Sequence, residues 1–223
     1  MSWHGRAGVC THCAPTSTRA SRVHETIPQP YRLSFLVGGL FAEECRVAAQ
    51  LHGELGDWVA VRRALNEGNL LHARTHATAV RIARELTQRM ATLDDEETAH
   101  VATAPGPDHR HLMWVAFCRR YAFVGEFAQE VLRDGFLLGA SALRSGDFER
   151  FWGAKALWHH ELDEVKQSTR SRLRVSLFLA MRQAELLDDD GLILPPLLSG
   201  EVSSFLHART PSEFRFFPVE DPT

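Results

Sequence analysis

Long apolar runs are missing from this sequence. The longest nearly uncharged stretch, Leu33–Ala42, covers ten residues and includes Gly38 and Gly39, about half of the ~20 apolar residues that a membrane-spanning helix needs. No apolar core follows the first basic residues, so no secretory signal is expected. Cysteine is scarce: four in 223 residues do not make a disulfide scaffold. Cys45 and Cys118 fall on apolar helical stripes and read as reduced core thiols, which points to the cytoplasm. Lysine is scarcer still, two of 25 basic residues; genome composition explains that skew as well as phosphate recognition does. Also absent are G-x-S-x-G, a P-loop, G-x-G-x-x-G after a strand, and H-E-x-x-H. Gly38-Gly39 lacks a following Lys-Ser pair and reads as room for close helix approach or a tight lead into the first helix.

What is present fits a globular protein. Hydrophobic residues make up 44% and charged residues 24%, enough to bury a core. The net charge of −3 argues against bulk attraction to nucleic acid, yet it is unevenly spread. Residues 1–93 carry a net +4 and residues 94–223 a net −7. Within the acidic half, Val165–Ala184 holds Lys166, Arg170, Arg172, Arg174 and Arg182 and no acid. Local patches set phosphate affinity, so a DNA-binding reading stands.

Residues 1–30 show no period and read as a disordered extension. From Tyr31 the pattern is helical, and the class is all-α. Phe41–Leu55 is a helix ended by Gly56. Asp57 caps the next, with Trp58, Val61 and Leu65 inward, and Thr75 caps Thr75–Leu93, with Ala79, Ile82, Ala83, Leu86 and Met90 inward. Pro105 and Pro107 mark Ala102–Asp108 as a break and candidate hinge. HLMWVAFCRRY and FVGEFAQEVLRDGFLL follow, then a helix from near Asp147 through Val165. Another helix starts at Ser168 or Thr169, and a last short one at Ser199 or Ser203. The expected organisation is a 1–30 extension, a 31–104 helical region with a helix-turn-helix-like pair, a 105–209 helical region and a 210–223 tail of loop. Trp58, Leu86, Trp114 and Phe127 are expected in the core.

Metal chemistry has weak support. The CxxC pair of Cys10-Thr-His-Cys13, with His4 and His24 nearby, supplies half of a tetrahedral zinc site, but no second CxxC completes it and nothing apolar nearby would fold around the metal, so an inert tail is the favoured reading. His159/Asp163 and His160/Glu164 are four apart on the expected helix, yet the matching E-x-x-H of a di-metal bundle is absent. No metal, cofactor or catalytic residue is assigned.

Basic, hydroxyl-bearing helix starts remain. Arg74, Thr75, Thr78, Arg81 and Arg84 lie at and along the start of one helix, after a shorter helix and a turn, as in helix-turn-helix readers. Lys166, Ser168, Thr169, Arg170, Arg172 and Arg174 repeat the theme. The second set is the stronger DNA candidate because it has no acid, whereas Glu85 lies beside Arg81 and Arg84. Solvated amphipathic helices share this appearance.

Four blocks follow in order: YRLSFLVGGLFAEECRVAAQL, DWVAVRRALNEGNLLHARTHATAVRIARELTQRM, LMWVAFCRRYAFVGEFAQEVL and STRSRLRVSLFLAMRQAELL. In that order they resemble the BrxA family, the small accessory proteins of BREX bacteriophage-exclusion systems, and the match spans about Tyr31 to Leu206. The second block has Asp57-Trp58, Asn69-Leu70, Thr75, Arg81-Ile82, Glu85-Leu86 and Arg89 in place; Met90 replaces a leucine, and residues 1–30 have no counterpart. The resemblance implies an all-helical fold similar to NusB and double-stranded DNA as partner without enzymatic activity. Other BREX proteins are further candidate partners. The alternative from another class is a helical adaptor that holds proteins and makes no DNA contact.

Overall fold

The chain passes from an extended N-terminal strap into its first helix at Phe41. The computed structural model describes residues 1, 2, 4, 29–36 and 38–220. The zinc reading at Cys10, Cys13 and His24, and most of the expected 1–30 extension, lie outside the described residues. Helix α1, Ala42–Leu55, stops at Gly56 with φ 66°, a left-handed cap that glycine adopts without a Cβ penalty. The Asp57 carboxylate accepts from Ala60 N to start α2, Trp58–Glu67. The Thr75 hydroxyl accepts from Thr78 N to start α3, His76–Met90.

Helix α5, Gly106–Arg120, is the axis of the molecule. Residues Leu112 to Cys118 are buried on every side, as expected for a helix with neighbours all round. Helix α4, Asp95–Thr103, lies on α1, and α3 packs on both α2 and α5. After α5 come α6, Ala122–Phe127, a π-helical turn, Ala128–Arg133, and α7, Asp134–Leu137. Then follow α8, Ser145–Ala156, α9, Gln167–Gln183, and α10, Gly200–His207. Among the described residues there is no strand, only isolated bridges at Ala142–Leu192 and Leu187–Ile193. The all-α class holds. One apolar cluster runs from Tyr31 to Phe217, and the strap joins it through edge contacts of Phe35 with Phe117 and Tyr121.

Several expected boundaries move. Helix α4 was not read from the sequence, although Asp94 and Glu97 form a reciprocal capping box at its start. The break at Ala102–Asp108 shrinks to Ala104 and Pro105, because Pro107 sits in the first turn of α5, where no N–H is needed. Arg46 of α1 donates to Ala104 O across it. The helix expected through Val165 ends at Ala156. There Tyr31 intervenes, its N–H donating to Glu161 and its ring stacked on His159, so His159/Asp163 and His160/Glu164 share no continuous helix. Helix α9 starts at Gln167, one residue before Ser168. The segment expected as loop from Thr210 contains a 3₁₀ turn, Glu213–Phe216, and buries Phe214, Phe216 and Phe217. Leu86, Trp114 and Phe127 are fully buried, while Trp58 is half-buried and stacks on His52.

Trp114 has 0% exposure, and its indole N–H donates to Phe216 O at 2.8 Å. Trp114→Ala should therefore cost ~3–5 kcal/mol, about 10 °C in melting temperature for a domain near this size. An unchanged melting temperature in thermal denaturation would contradict this packing.

His109 and His111 are buried on α5, and desolvation holds both imidazoles below the ordinary 6.5. Arg46 and Arg110 add to the lowering at His109 and Glu43 opposes it; Asp108 and Glu185 oppose it at His111. The unfolded chain then takes up protons first, so stability is full above about pH 6.5 and declines as pH falls below it. Melting temperature should drop on acidification from about pH 7 to about pH 5, and His109→Gln with His111→Phe should flatten the decline. A wild-type melting temperature constant across that range would overturn it.

Candidate nucleic-acid interface

Helix α3 sorts its side chains into an inner and an outer set. Ala79, Ala83, Leu86 and Met90 point into the core, while Ala77, Val80, Arg81 and Arg84 are exposed. The outer set follows a spacing of three and four, so it forms one face. Arg74 precedes it, exposed beside the cap. Thr75 and Thr78 are bonded to each other, with 2.9 Å between the hydroxyls. Arg74, Arg81 and Arg84 make no ion pair or hydrogen bond with any described residue.

Glu85, the acid next to Arg84, sits at the inner edge of this face with its carboxylate drawn toward the core. It is buried, with Oε1 accepting from Arg89 Nε at 2.8 Å and from the Tyr121 hydroxyl at 2.5 Å. A carboxylate held by two donors inside the protein screens the outer guanidiniums little. A shallow groove of about 340 Å³ runs between this face and the strap, lined by Ser34, Ala77, Val80, Arg81, Arg84 and Glu85.

The face extends beyond α3. Gln88, one turn past Arg84, accepts from Arg120 Nη2 at 2.7 Å, which brings a further guanidinium from the end of α5 without an acid. No local pattern signals this contact, because Arg120 lies 32 residues away from Gln88. Arg62 and Arg63 of the adjoining α2 are likewise unpaired among the described residues. Eight residues, Gly68–Thr75, separate α2 from α3, more than the ~3–4 of a helix-turn-helix turn.

Helix α9 is different. Arg174 Nη1 lies 2.7 Å from Glu149 of α8. Arg170 pairs with the same carboxylate, its guanidinium 5.0 Å from the Trp152 ring centroid. The segment that is acid-free in sequence is thus partly neutralised by an acid from another helix. Lys166 and Arg172 are exposed and unpaired among the described residues. Of the seven basic residues singled out, the structure groups Arg81 and Arg84 on an open face and gives Arg170 and Arg174 an internal partner.

Chemistry of other kinds finds little to build on. Cys45 and Cys118 are buried free thiols, and burial pushes both far above the ordinary thiol range. The Ser199 hydroxyl donates to Asp108, and His100 Nε2 lies 3.1 Å from that same carboxylate oxygen, so serine and imidazole share an acceptor instead of pairing with each other. Among the described residues, no group of three or more His, Cys, Asp or Glu could hold a metal ion. No helix among them is long and apolar enough to cross a membrane.

The BrxA family model matches residues 29–210, most of the chain and all of the helices above. The chain belongs to the BrxA family. As a BrxA-family member it is a BREX-associated protein. No curated protein matches it. A solved structure, the crystal structure of an uncharacterized protein from Magnetospirillum magneticum, is similar to it with a TM-score of 0.72. It is 19% identical and the match covers 84% of this chain and 97% of that one, so this BrxA-family fold recurs there nearly whole.

Proposed function

We propose that the protein is a non-enzymatic, cytoplasmic accessory component of a BREX-type bacteriophage defence system that binds the backbone of double-stranded DNA. The outer face of α3 makes the contact. One observation carries this reading: Arg74, Arg81 and Arg84 stand exposed without acid partners, while Glu85 turns inward. From His76 to Arg84 the helix rises about 12 Å, between three and four rises of a duplex strand at ~3.4 Å each, and Arg74 stands just before its start. Arg120 continues the contact through Gln88. Guanidiniums at this spacing suit phosphates and carry no base code, so binding is largely independent of sequence. On α9, Lys166 and Arg172 add weaker contacts, because Arg170 and Arg174 share Glu149.

Affinity for random-sequence duplex should fall steeply and log-linearly with salt. Replacing Arg81 and Arg84 by Gln should lower the slope by about 1.8, at ~0.9 per phosphate contact. Arg170→Gln with Arg174→Gln should change it little. Anisotropy titrations across a salt series check this. A loss confined to the second pair would move the contact to α9. No duplex binding even at low salt would favour the adaptor.

A further inference from the structure

The outer stripe of α9 offers a different kind of surface. Arg174, Val175, Phe178 and Arg182 recur at helical spacing, and with Ser145 of α8 they line a cleft of about 180 Å³, room for one leucine- or phenylalanine-sized side chain. Val175 is 60% exposed. Phe178 is half-buried, its ring tilted against Phe127 at 6.4 Å. Just before Ser145 in the chain, residues 141–143 pair with 191–193 through Leu143 N to Gly191 O and Ile193 N to Ser141 O, and Leu192 is exposed. Apolar groups left open to water in this way mark a docking surface when they cluster.

The charges say what docks. Arg182 Nε lies 3.9 Å from the exposed Asp189, too far for a hydrogen bond, and no described residue accepts from it. Arg174 gives Nη1 to Glu149 on one flank only. Guanidiniums therefore close both ends of an apolar floor. Duplex DNA has phosphates for the ends, but its apolar groups, thymine methyls and sugar carbons, lie within the grooves and backbone and do not project as a side chain does. A peptide segment has both.

We propose that this cleft docks a protein partner through a short segment that presents one leucine or phenylalanine flanked by carboxylates, which meet Arg174 and Arg182. The inference is independent of the α3 reading, since no residue is shared.

The probes are three pentapeptides titrated into the full-length protein and followed by methyl NMR: acetyl-Glu-Asp-Phe-Glu-Asp-amide, its Phe-to-Ala analogue, and acetyl-Lys-Lys-Phe-Lys-Lys-amide. The acidic Phe peptide should shift the Val175 methyls saturably with affinity on the order of millimolar, and each control should bind about tenfold more weakly. Val175→Asp and, separately, Arg182→Gln should each weaken binding by a similar factor, while Arg81→Gln with Arg84→Gln should leave it unchanged. Absence of a saturable shift at Val175 would overturn the proposal. So would equal binding of either control peptide, or displacement of the acidic peptide by random duplex DNA.

Discussion

A guanidinium with no exposure to solvent holds this fold in register. Arg89 donates Nε to Glu85 and Nη1 to Gly39 O at 2.7 Å, and lies 4.3 Å from the Phe117 ring centroid and 5.0 Å from that of Phe41. Strap, α3 and α5 meet at this one group. Burial pulls its pKa down, and Glu85 with Tyr121 opposes that. Removing one partner of such a pair leaves a buried charge uncompensated, which typically costs ~3–5 kcal/mol. The pair also draws the acid of α3 inward, so the outer face keeps its positive charge.

A second pair of acids is used in the same way at the C-terminal side. Arg119 donates to Glu97 at 2.6 Å from each of two nitrogens and to Glu213 at 2.9 and 2.6 Å. Burial works against that guanidinium, but the two carboxylates outweigh it and raise its pKa. Arg209 adds contacts to Asp94 and Glu97. The start of α4, the end of α5 and the final 3₁₀ turn are thereby joined, which explains why a polar-looking C-terminal segment seats three phenylalanines in the core. A guanidinium with both edges committed to acids, as at Arg119, fastens helices and has no edge left for a ligand.

Local signals in the sequence read well. Asp57, Thr75 and Ser199 cap the helices they were expected to cap, because a side-chain oxygen meeting a free N–H two or three residues on needs no tertiary information. The order of the four blocks gave the family. What depended on distant contacts did not read. Glu149 neutralises Arg170 and Arg174 from another helix, Arg120 reaches Gln88 across 32 residues, and Tyr31 bonds Glu161 and stacks on His159 just past the end of α8. Two departures do carry a visible local signal: Asp94 and Glu97, three apart, at the start of α4, and Pro107 in the first turn of α5.

Glu85 belongs to the interior and its α3 neighbours Arg81 and Arg84 to the ligand. Glu85→Gln tests both halves in one protein, by thermal denaturation and by duplex titration at a temperature where the variant is folded. The melting temperature should fall, with duplex affinity and salt slope unchanged from wild type. Tighter duplex binding at undiminished stability would place Glu85 on the binding face and contradict it.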